Sequence, residues 1–151
     1  MLNFKKGFTL WETLIVIMIM GLLVAIILPS FKTMRNTGLL KATASDIFSA
    51  LDKARSQTLS SIGSSEYGVH FESGKIVIFK GTTYSSSDIN NEDILFVSPA
   101  YISSINLTSG ASDLYFNRLS GSPSKTGTVT ISVSSLSKII TILATGAVSM
   151  D

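Results

Sequence analysis

One charged residue in this sequence stands where it is costly. In GFTLWETLIVIMIMGLLVAIILP, Glu12 is the only ionisable side chain between Phe8 and Leu28, and the fifteen residues Leu14–Leu28 carry no polar side chain. A carboxylate inside a bilayer costs about 2.5–3.5 kcal/mol by insertion scales. Thr9-Leu10-Trp11-Glu12 fits the S/T-x-x-E capping box, in which Glu12 bonds back to the start of a helix. A cap contributes only about 1 kcal/mol, which does not offset the burial. Glu12 therefore calls for a further partner.

The other residues with chemical potential are weaker candidates. His70 is the only histidine, and no cysteine exists to join it in a site. It reads as a surface or half-buried strand residue. Asp88-Ile-Asn90-Asn91-Glu92-Asp93 resembles an oxygen-rich calcium loop but lacks the glycine and the distal glutamate, so it reads as a solvated loop. Gly121-Ser-Pro-Ser-Lys125-Thr126 ends like a phosphate loop but has no glycine before the lysine, and reads as a turn. Asn106-Leu-Thr108 is a glycosylation triplet by pattern only. No metal site, cofactor site or catalytic group is predicted.

Composition narrows the class. The chain has 151 residues, a net charge of +2 and only 15% charged residues, so no polyanion-binding character is written into the whole. Lys75, Lys80, Arg118, Lys125 and Lys138 are offset by Asp88, Glu92, Asp93 and Asp113, and read as ordinary surface charge. With no cysteine there is neither a disulfide framework nor a thiolate metal site. The mean hydropathy of +0.41 owes much to the N-terminal run.

That run sets the first element. Phe8–Leu28 spans about 31 Å as a helix, the thickness of a hydrocarbon core. A cleaved secretory signal would need a small-residue site after it, whereas Leu28-Pro29-Ser30-Phe31-Lys32 follows. A retained membrane helix is expected, with its orientation poorly specified by Lys5, Lys6, Lys32 and Arg35. Pro29 should kink or interrupt it, or mark the end of its bilayer part, and Gly38 could loosen it. Gly21 would allow close helix approach or is simply tolerated. Beyond, Leu40, Ala44, Ile47, Leu51, Ala54, Thr58 and Ile62 recur at steps of three and four, a stripe on one helical face that Gly63 ends.

After Gly63 the period changes. Strands are predicted at 67–72, 75–80, 94–97, 101–107, 114–116, 128–134, 138–144 and 147–150, with a loop over 81–93. Val129, Ile131 and Val133 share one face. The predicted fold class is α+β: a long N-terminal helix, membrane-spanning in its first half and amphipathic in its second, packed on an antiparallel β-sheet.

Lys6-Gly7-Phe8-Thr9-Leu10-x-Glu12, followed by an apolar helix with Gly21 and Pro29, resembles the prepilin N-terminus of type IV pilins and pseudopilins. Ala50-Leu-Asp-Lys-Ala-Arg-Ser-Gln-Thr58, the Val69–Phe71 strand, Leu114-Tyr-Phe-Asn117 and Ile140-Thr-Ile-Leu-Ala-Thr-Gly146-Ala-Val148 are similar to the GspH/FimT group of minor pseudopilins. Trp11, where the family usually has an aliphatic residue, and the weakly basic MLNF start depart from the pattern.

The resemblance implies a pilin-like chain organised as leader 1–7, membrane and assembly helix 8–29, amphipathic helix 30–62 and β-rich domain 63–151. It further implies cleavage by prepilin peptidase between Gly7 and Phe8, methylation of the new Phe8 amine, and neutralisation of a neighbouring subunit's Phe8 amine by Glu12. Pro29 would bend or melt as subunits pack. The implied protein is a non-enzymatic minor pseudopilin in a type II secretion pseudopilus or a related filament. It would be held once in the bacterial cytoplasmic membrane, N-terminus in the cytoplasm and globular domain outside, before joining other pilin-like subunits. The alternatives are a type IV pilus or competence minor pilin engaged in DNA uptake, and a membrane-anchored binding domain.

Overall fold

A computed structural model describes residues 7–151, without the side chains of residues 28–30. Most of the predicted leader therefore lies outside the described residues. The chain divides into two compact units, Met1–Arg35 and Asn36–Asp151. One helix, α1 (Leu10–Leu59), contributes to both and is helical through Pro29 and Gly38.

In the first unit every described side chain of α1 from Leu10 to Ile27 is exposed, and its best 18-residue window has a mean hydropathy of 2.9. A helical run that is apolar and exposed on all sides suits a lipid or helical-bundle surrounding rather than water.

The second unit has an ordinary core. Leu40, Ala44, Ile47, Leu51, Ala54 and Thr58 are buried to 5% exposure or less, the face that the three- and four-residue spacing predicts. Full burial of Ile47 and Leu51 contributes about 3–6 kcal/mol, comparable to the net stability of a small domain. Packing therefore holds this half of the helix. The predicted last member, Ile62, is instead 49% exposed. The helix ends at Leu59, Ser61 and Gly63 turn left-handed at φ 51° and 60°, and Ile62 is rotated off the face.

Eight strands follow: β1 (Tyr67–Glu72), β2 (Lys75–Lys80), β3 (Glu92–Leu95), β4 (Ala100–Leu107), β5 (Asp113–Tyr115), β6 (Gly127–Val133), β7 (Leu136–Ile142) and β8 (Val148–Met150). They form two antiparallel sheets rather than one, in the orders β3-β2-β1-β5 and β4-β6-β7-β8. The inward residues Val69, Phe71, Ile76, Ile78 and Leu114 of the first sheet join Ile102, Val129, Ile131, Val133, Ile140 and Ile142 of the second in one cluster with the helix. β3 begins two residues earlier than expected, because Glu92 and Asp93 pair with Ile78 and Val77 while Phe96 leaves the ladder to donate its N–H to the Gly74 carbonyl.

The two sheets differ in their outer faces. In β6 burial alternates, as in a sheet with one wet side. In β2 four consecutive residues, Ile76–Phe79, are buried. Val77 and Phe79 lie outside the cluster shared with the helix, and the segment 81–91 meets Phe79. Its Tyr84 ring sits edge-on to Phe79, with ring centres 5.8 Å apart. Gly68 makes this possible, since a Cβ there would overlap the Phe79 ring and the Leu114 carbonyl oxygen.

Candidate assembly site at the start of the helix

Gly7, Phe8 and Thr9 precede α1 in non-helical backbone, all exposed, Phe8 by 78%. Thr9 caps the helix: its Oγ1 accepts the Glu12 N–H at 3.3 Å, and its carbonyl accepts the Glu12 and Thr13 N–H groups at 3.1 and 3.2 Å. The Thr13 hydroxyl donates back to the Leu10 carbonyl at 2.9 Å. The capping box thus closes on one side only. Thr9 serves the Glu12 backbone, whereas the Glu12 carboxylate is exposed and has no hydrogen-bond or ion-pair partner among the described residues. Gly21 has nothing within 4 Å of where a Cβ would stand, so no contact among the described residues requires a glycine there.

The remaining candidates are engaged elsewhere. His70 stacks on Tyr84 with ring centres 3.9 Å apart and planes at 8°, and its Nε2 lies 3.8 Å from Glu72 Oε1. Burial pushes its pKa below the usual imidazole value, assisted by Lys75 and opposed by Glu72 and Asp113. Its role is to seat Tyr84 over the sheet. Asp88 accepts the Asn90 N–H at 2.9 Å and the Asn90 side-chain amide at 2.7 Å, and these bonds lower its pKa. Glu92 pairs with Lys53 at 2.6 Å and Asp93 with Lys75 at 2.7 Å, so the acidic loop does not converge on one point. No group of three or more metal-ligating side chains occurs among the described residues. Lys125 donates to the Asp113 carbonyl at the start of β5 at 3.0 Å, and Arg118 donates to the Ser64 carbonyl at 3.1 Å. Asn106 is exposed on β4, opposite Thr128.

Two features escaped the pattern reading. Arg55, on a polar face of the helix, donates Nε–H to the Gly121 carbonyl at 3.1 Å and Nη2–H to the Thr145 carbonyl at 3.4 Å. It thereby ties the helix to two distant glycine turns, where Gly121 and Gly146 take φ of 64° and 79°. Thr58 Oγ1 donates to the Ala54 carbonyl and accepts the Tyr67 N–H, both at 2.9 Å, joining the helix to the first strand. Only the glycines gave a signal, as turn residues without a named partner.

A long apolar helix whose later half packs on antiparallel sheets defines a pilin-like α+β subunit, and the apolar half is compatible with membrane anchoring. The chain belongs to the GspH family, type II transport protein GspH, whose family model matches residues 43–146. The match begins on the packed half of α1 and ends at Gly146, so it covers most of the domain, short of β8, and not the Glu12 turn. Compared with curated proteins and with solved structures, the chain matches none. Membership supports a structural role as a type II secretion pseudopilin assembled with other pseudopilins, in a family that is structural and not enzymatic.

Proposed function

We propose that the chain is a minor pseudopilin that enters its filament through the first turn of α1. The observation that carries this reading is the exposed Glu12 carboxylate, unpartnered among the described residues, at the head of an exposed apolar helical run. Prepilin peptidase cuts between Gly7 and Phe8, in the exposed non-helical segment ahead of the Thr9 cap, and the new Phe8 amine is methylated. In the filament, Glu12 of one subunit neutralises the Phe8 amine of a neighbour. Pairing with a cation offsets a burial cost that a helix cap does not, and fixes the axial register between helices. The segment around Pro29 yields as the helices pack, because Pro29 cannot donate a backbone hydrogen bond. Before assembly the subunit is anchored once in the cytoplasmic membrane, with residues 36–151 outside.

Two measurements test this. Intact mass of the membrane form should show loss of residues 1–7 and gain of one methyl group; an uncut chain refutes the reading. A Glu12→Ala variant should be cut normally but should crosslink to partner pseudopilins far less than the parent. Undiminished crosslinking removes Glu12 from assembly. Of the five basic residues of the β-rich domain, Lys75 and Lys125 pair with Asp93 and Asp113, which lends no support to a role in DNA uptake.

A further inference from the structure

The only tryptophan of the chain, Trp11, is 71% exposed in the first turn of α1, beside Glu12. The other polar groups of that turn are occupied: Thr9 receives the Glu12 N–H, and the Thr13 hydroxyl bonds the Leu10 carbonyl. The Glu12 carboxylate and the Trp11 indole N–H have no partner among the described residues. An indole has an apolar body and one donor, and it settles where hydrocarbon meets headgroups. A carboxylate beside it gains water at the same depth.

Length allows that depth. Glu12 and Lys32, both exposed, are 20 residues apart, about 30 Å along a helix and one hydrocarbon thickness. Between them Leu14–Phe31 contains no charge, and Lys32 can reach the far interface on its own stem. The alternative span, Phe8–Leu28, has about the same length but sinks both Trp11 and Glu12 into hydrocarbon.

We propose that Trp11 is a lipid-interface anchor. It holds the first turn at the headgroup level of the cytoplasmic leaflet, so that before assembly Glu12 faces headgroups and water and the spanning segment is Leu14–Phe31. This rests on the membrane anchoring proposed above. The partner is the glycerophospholipid interface itself.

Because Trp11 is the sole tryptophan, its fluorescence reads its own depth. The full chain is reconstituted in phosphatidylethanolamine–phosphatidylglycerol vesicles whose acyl chains carry bromine near the headgroup or near the chain end. Shallow bromines should quench Trp11 at least about twofold more than deep ones. Equal or stronger quenching from the deep position overturns the anchor and leaves membrane insertion standing. A Trp11→Leu, Leu22→Trp double variant, with its indole at the middle of the proposed span, should show the opposite pattern. If that control is also quenched from the shallow position, the helix lies along the surface, and both the anchor and the spanning topology fail. A chain that does not float with the vesicles refutes membrane anchoring altogether.

Discussion

Replacing Thr58 by valine isolates one hydrogen bond that joins the helix to the sheets. Thr58 is completely buried, and its Oγ1 accepts the Tyr67 N–H at 2.9 Å at the entry to β1. Valine keeps the branched shape and removes the acceptor. The Ala54 carbonyl remains within the helix ladder, so the unmet group is the Tyr67 amide. An orphaned buried donor costs about 1–3 kcal/mol, and the added methyl recovers a part, leaving about 1–2 kcal/mol. For a fragment of the length of Asn36–Asp151 that lowers Tm by about 3–10 °C. Thermal unfolding by circular dichroism measures the loss, and amide hydrogen exchange locates it. The Tyr67 amide should lose protection in Thr58→Val and retain it in Thr58→Ser, which keeps the oxygen. A Thr58→Val fragment as stable as the parent, with the Tyr67 amide still protected, would refute the assignment.

Two further outcomes follow from the same packing. Gly146→Ala should cost about 3 kcal/mol or more, because Gly146 has φ 79° and its new Cβ would overlap the Gly121 carbonyl and lie 2.8 Å from Arg55 Nε. Gly121→Ala is also left-handed, at φ 64°, but its nearest neighbours are Arg55 and Leu59 side-chain atoms at 3.1 Å rather than backbone, and it should cost less; urea titration of both variants compares them. His70 gives a pH dependence of known sign. Its folded pKa is depressed, so the unfolded chain binds its proton more tightly, and its share of stability is intact above the ordinary histidine value and falls as pH drops through it. The urea midpoint should therefore fall between about pH 7.5 and about pH 5.5, and His70→Phe, which keeps a ring on Tyr84, should flatten that part of the fall.

Periodicity alone determined the packed helix face, because burial of a helix repeats every 3.6 residues wherever its partner comes from. Leu40 through Thr58 were legible for that reason. The strands were legible from their alternation and turns, with ends displaced by a residue or two where backbone pairing, not composition, decides. Local chemistry likewise predicted the Thr9 cap, whose hydroxyl accepts the Glu12 N–H. Tertiary structure decided what depends on residues distant in the chain. Division into two sheets rests on strand partners that no local pattern specifies. The buried run in β2 also depended on Tyr84 meeting Phe79 edge-on, with Gly68 making room for the Phe79 ring. Arg55 read as a polar-face cation until the fold brought the carbonyls of Gly121 and Thr145 to it, 66 and 90 residues away. Ile62 continued the apolar rhythm but left the core, because a period identifies a face only while the backbone remains helical, and Ser61 and Gly63 end that.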